Sequence, residues 1–235
     1  MHTRAAVALG LQHRPVLGLF SMLVTLALGL NLIFLSHSFL GIPEWTGFHF
    51  ARERSVPEVV GYVFAAWAAG LALYLAVVHR QAVLASWSAV FVVLLADDYF
   101  MLHERMAKVV SANVTIPYPY GQPVGEIVWL AFIGLVLLTA IAVTYRFAES
   151  EWRAASRVLT VLLALLVLCG VGFDAVHGFT TNKGAWHVIL SSLEDGGEVL
   201  MLAVVVTFLY ALAFGGHRSA PGTLTRRRAA QTVRY

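Results

Sequence analysis

The chain has 235 residues, 59% of them hydrophobic and 12% charged, with a formal net charge of +3. Its apolar runs are longer than a soluble core helix needs, which classes it as a polytopic membrane protein. The single cysteine, Cys169, lies in mid-span and excludes an internal disulfide and any structural zinc site built on several thiolates.

Six helical spans are expected, at residues 15–40, 57–79, 83–105, 124–146, 157–179 and 186–214. Each has roughly 20 residues or more, enough to cross about 30 Å of hydrocarbon. The ten-residue dyad alternation of a membrane barrel is missing, so the expected class is all-α: a six-helix transmembrane bundle over residues 1–214. The first span is too long for a signal-peptide core and lacks a small-residue cleavage site, so it is expected to stay as a signal anchor. After it, Trp45, Phe48, His49 and Phe50 suit a segment lying at the membrane interface. The connection around residues 113–123 is stiffened by Pro117, Pro119 and Pro123, with Tyr118 and Tyr120 as interfacial anchors. Residues 215–235, with Pro221, Gly222 and the arginines 226–228, read as a flexible basic cytoplasmic tail. No nucleic-acid module, nucleotide-binding glycine loop or internal repeat is present.

Charge sets the expected orientation. Eleven Lys and Arg residues fall in one set of loops and tails (Arg4, Arg14, Arg80, Arg146, Arg153, Arg157, Arg218, Arg226, Arg227, Arg228, Arg234). Five fall in the other (Arg52, Arg54, Arg105, Lys108, Lys183). The positive-inside rule then places both termini in the cytoplasm, with the protein integral to a bacterial inner (plasma) membrane.

Eight of the thirteen carboxylates lie inside or at the mouths of the apolar segments: Asp97, Asp98, Glu104, Glu126, Asp174, Glu194, Asp195 and Glu198. His103, His177 and His187 join them. An ionisable group in a span costs several kcal/mol unless it is paired, hydrated or bound to metal. At 1.5 Å per helical residue, Asp97 lies about 21 Å from the cytoplasmic end, Asp174 about 25 Å, Glu198 about 24 Å and Glu126 about 30 Å. Spans of opposite direction thus bring their acids to one level in the outer third of the bilayer. On the sixth span His187, Ser191, Glu194, Asp195 and Glu198 share a stripe about 100° wide. Asp174 and His177, three apart, share a face of the fifth. On the third, Asp97 and Glu104 share a stripe with Asp98 on its flank, while His103 points elsewhere unless the helix loosens.

The runs Asp97-Asp98-x4-His103-Glu104 and Glu194-Asp195-x2-Glu198 resemble segments of uncharacterised bacterial multi-pass membrane proteins, a likeness that implies a membrane bundle and brings no assigned activity. The alkaline ceramidase and progestin-receptor superfamily is excluded by its seven spans and three-histidine zinc motif.

Few basic side chains lie near enough to neutralise eight acids, which favours a bound cation over a purely paired cluster. A mixed carboxylate and imidazole shell suits a divalent transition metal: zinc, iron or manganese. The expected metal ligands are Asp97, His103, Glu104, Asp174, His177, His187 and Glu198, with Glu194 or Asp98 as general base. The expected activity is a metal-dependent membrane enzyme, most simply a hydrolase of a lipid or lipid-linked group, with membrane lipids as its surroundings. A cation or proton transporter and an ion-stabilised scaffold or accessory subunit are the alternatives. Transport is disfavoured because the inner halves of spans three to six are almost wholly apolar.

Overall fold

The computed structural model describes residues 9–49, 54–114, 121–173, 176 and 184–215. The expected tail falls outside this set from residue 216 onward. Within it lie seven helices and no strands. They are α1 (Arg14–Leu40), α2 (Val56–His79), α3 (Ala82–Phe100), α4 (Leu102–Asn113), α5 (Gly121–Phe147), α6 (Ser150–Val167) and α7 (Ala185–Phe214). A 3-10 turn at Thr46–Phe48 follows α1, and a π turn at Leu168–Gly172 extends α6. Six helices are long and apolar enough to cross a membrane, in close agreement with the six expected spans.

Local chemistry sets several boundaries. α1 carries Pro15 in its first turn, where a missing N–H costs nothing, and is capped by Gly41 with φ 71. α2 opens with a reciprocal capping box: Ser55 Oγ accepts the Glu58 N–H, and the Glu58 carboxylate accepts the Ser55 N–H. The third expected span, 83–105, is corrected. Its helix stops at Phe100, Met101 adopts φ 51, and a separate polar helix, α4, begins at Leu102. The Met101 N–H still reaches the carbonyls of Asp97 and Asp98 as in a last helical turn, and its left-handed dihedrals then turn the following chain off the α3 axis.

α7 and α2 form the centre, with α1 and α6 against α7 and α3 against α2. The core, toward the end where α1 begins and α7 finishes, is built from Leu75, Val83, Leu84, Trp87, Phe91, Leu159, Val205 and Leu209. Its few polar groups are satisfied: Trp87 Nε1 donates to Ser156 Oγ at 2.8 Å, and Ser88 Oγ donates to the Ala69 carbonyl at 2.9 Å. Only 6% of the residues in the most apolar stretch of α5 are buried, against 44% for α2 and α7. α5 therefore stands at the edge of the bundle, held mainly by α4 and α3.

Candidate metal site

Asp97, in the last turn of α3, is a buried carboxylate with only 5% of its surface exposed. Both of its oxygens have partners. Oδ1 accepts the Trp129 Nε1–H of α5 at 2.8 Å, and Oδ2 lies 2.8 Å from His103 Nδ1 of α4. On an unbroken helix His103 would point away from Asp97. The left-handed turn at Met101 brings it back, so the loosening that the sequence reading allowed for is a complete helix break.

The α5 partner is placed by close packing. Gly125 lies against Ala107 of α4, where a Cβ would come within 2.6 Å of the Ala107 Cα. Trp129, four residues on, shares that face and reaches Asp97. Asp98 is exposed beside this pair. One donor atom each from Asp97, Asp98 and His103 lie within 4.8 Å of one another, a spacing that could hold a metal ion. The hydrogen bond to Asp97 raises the pKa of His103 above its ordinary value. Burial opposes that rise, while the charges of Asp97, Asp98 and Glu126 support it.

Two residues beside this group escaped the sequence reading. Glu58 lies within electrostatic reach of Asp98 and accepts the Tyr62 hydroxyl. Its Ser55-x-x-Glu58 capping signature is legible, though nothing in it points to a neighbouring site. Trp129 carries no signal of its own, because one more aromatic in an apolar span is ordinary.

The other expected site residues that the structure describes are distributed around the same end of the bundle. Glu104 lies 3.9 Å from Lys108 one turn along α4, an exposed pair of small energetic weight. Glu126 accepts from Gln122 Nε2 at 3.1 Å. His187, in the first turn of α7, lies within electrostatic reach of His49. Glu194, Asp195 and Glu198 are half-buried on α7, and none stands without a partner. Glu198 folds over Gly170 of the π turn, where any β-carbon would collide with its carboxylate. Asp174 and His177 lie outside the described residues.

A polar clasp absent from the sequence reading joins α1 to α7. Ser192 Oγ donates to Asn31 Oδ1 at 2.6 Å, and Asn31 Nδ2 donates to the Ser192 carbonyl at 3.2 Å. Gly196 leaves the space that the Asn31 amide occupies.

Two carboxylates and one imidazole would supply three protein ligands, the donor count of a catalytic zinc centre, and the set equally suits iron or manganese. No curated protein and no solved structure matches the chain. A family model does, over residues 3–212, and the chain belongs to the family described as Domain of unknown function (DUF8692).

Proposed function

We propose that the protein is a metal-dependent membrane enzyme, most simply a hydrolase of a lipid or lipid-linked group, with its ion held by Asp97, Asp98 and His103. The observation that carries this reading is the convergence of those three side chains across the helix break at Met101. The reading gains support from Trp129, which occupies one Asp97 oxygen and leaves the other facing His103. An ion held here would take the place of the proton between His103 Nδ1 and Asp97 Oδ2, since metal ligands must be deprotonated. Asp98, the exposed member, would offer a carboxylate oxygen to the ion.

A bound divalent ion lowers the pKa of a coordinated water to about 7. Held by Asp97, Asp98 and His103, such an ion would supply an activated water for attack on a carbonyl or phosphoryl centre, and the exposed Asp98 would be placed to take up a proton and return it to the leaving oxygen. A transport reading is opposed by the apolar core of Val83, Leu84, Trp87, Val90 and Phe91, which fills the other half of α3.

Elemental analysis of detergent-purified protein tests the metal, and lipid turnover tests the chemistry. One equivalent of zinc, iron or manganese is expected at this site, lost in Asp97→Asn and His103→Gln. Metal-dependent release of a headgroup or acyl chain from added lipid is expected alongside. Metal retained without any lipid turnover favours the scaffold reading, and no metal under any loading condition removes the proposal.

A further inference from the structure

The last turn of α3 presents three consecutive exposed residues beside Asp97: Asp98, Tyr99 and Phe100. At 1.5 Å per residue the 19 residues of α3 rise about 28 Å, so the two rings stand where about 30 Å of hydrocarbon gives way to lipid headgroups. Tyr99 is 49% exposed and Phe100 50%. Their rings meet nearly at right angles, 88° apart with centroids separated by 5.0 Å. Tyr62 of α2 packs on Tyr99 at 5.7 Å and 71°. Tyr62 is in turn held by its own helix. Its hydroxyl donates to one Glu58 oxygen, and the other Glu58 oxygen accepts the Ser55 N–H at 3.3 Å. The capping box thus fixes Glu58, Glu58 fixes Tyr62, and Tyr62 backs the Tyr99 ring.

The chemistry of this corner selects a cation. Aromatic faces attract positive charge, and here they stand among negative ones. Glu58 touches Tyr62, Asp98 precedes Tyr99, and the C-terminal end of α3 adds the negative pole of its helix dipole. Arg54, just before the cap, acts on Tyr62 electrostatically, but among the described residues Glu58 makes no ion pair with it or any other basic side chain. The kind of cation follows from the acceptors. A primary ammonium has three N–H groups to satisfy, while each Glu58 oxygen already accepts a hydrogen bond and ring faces accept only weakly. A quaternary ammonium has no N–H, so charge and aromatic faces suffice for it.

We propose that Tyr99 and Phe100, backed by Tyr62 and Glu58, bind the quaternary ammonium of a choline-type phospholipid headgroup. This names the substrate class of the enzyme proposed above and, as a substrate assignment, rests on that reading. Asp98 and Tyr99 are neighbours in the chain, so a phosphoryl group at the Asp97 group leaves the ammonium of the same headgroup beside the rings. The binding itself requires no metal.

The test is a calorimetric titration of the detergent-purified protein, in chelator so that neither metal nor turnover contributes. The probes are dihexanoyl phosphatidylcholine and its ethanolamine and glycerol counterparts. Saturable binding of the choline lipid is expected, several-fold tighter than that of the ethanolamine lipid, with the glycerol lipid weakest. Tetramethylammonium should compete. Tyr99→Leu should weaken binding about fivefold, and Tyr99→Trp, which offers a stronger face, should keep or tighten it. The Trp variant guards against a Leu variant that merely folds poorly. Equal affinity for the three headgroups, no competition by tetramethylammonium, or Tyr99→Leu binding like the parent overturns the proposal. Tyr99→Trp binding as weakly as Tyr99→Leu overturns it too, and free choline binding as tightly as the lipid overturns the assignment to a lipid. Choline selectivity without lipid turnover in metal-loaded protein leaves the headgroup site standing and removes the hydrolase. Turnover without headgroup selectivity does the reverse.

Discussion

At the scale of single residues, the consequential group is the Asp97 carboxylate, because it is buried and both of its oxygens are engaged. Trp129→Phe keeps the ring and removes only the N–H, leaving a buried oxygen short of a donor. A loss of about 1–3 kcal/mol is expected in denaturant melts of detergent-solubilised protein. No loss would mean that the indole is not holding Asp97. His103 allows a test by pH in the presence of chelator. Its folded pKa is raised, first by the hydrogen bond to Asp97. Its contribution is therefore fully present below the unfolded value of about 6.5 and is lost as pH rises through the higher folded value. The melting difference between wild type and His103→Gln should shrink from pH 6 toward pH 9, and a difference that grows with pH would contradict the pairing. Little of this was legible beforehand. Acids at membrane depth stand out by their cost, so Asp97 and Asp98 were found, but Trp129 and Asn31 are recognised only by what they touch.

At the scale of elements, the six spans were readable because apolar run length translates directly into helix length, and both limits of α1 carry ordinary signals in Pro15 and Gly41. The break between α3 and α4 was not readable. Methionine is a good helix former with a steric penalty in the left-handed region, so nothing local announces φ 51 at Met101. The surrounding contacts impose it, among them the tight seat of α4 on α5 at Gly125. The break and the seat together make an experiment. Met101→Gly, which tolerates that backbone, should keep metal at the Asp97 group. Met101→Pro, locked near φ −65°, should lose it. Gly125→Ala would set a methyl 2.6 Å from the Ala107 Cα and 2.8 Å from its carbonyl oxygen, both backbone atoms. The helices must then part, at a cost of about 1–3 kcal/mol, and metal affinity should fall with stability because Trp129 moves away from Asp97. Unchanged affinity in Gly125→Ala would show that the α4–α5 seat does not position the site.

At the scale of the whole molecule, a single geometric fact connects the fold to its surroundings. Gly10, before α1, lies against Ala211 near the end of α7, so the start of α1 and the end of α7 share one end of the bundle. The same end holds the turn where the Glu149 N–H meets Gln81, while Asp97 and His103 lie at the other. Which end faces the cytoplasm rests on charge, eleven Lys and Arg against five. A reporter fused after Tyr235 should therefore report cytoplasm, and one inserted within residues 180–185 should report the outside. The metal group then faces outward, and a membrane-impermeant chelator added to intact cells should strip it, as read by metal content after rapid purification. A C-terminal reporter found outside would invert the protein and turn the site toward the cytoplasm. In that case the external chelator should have no effect, so the two measurements must agree with each other whichever way the bundle is inserted.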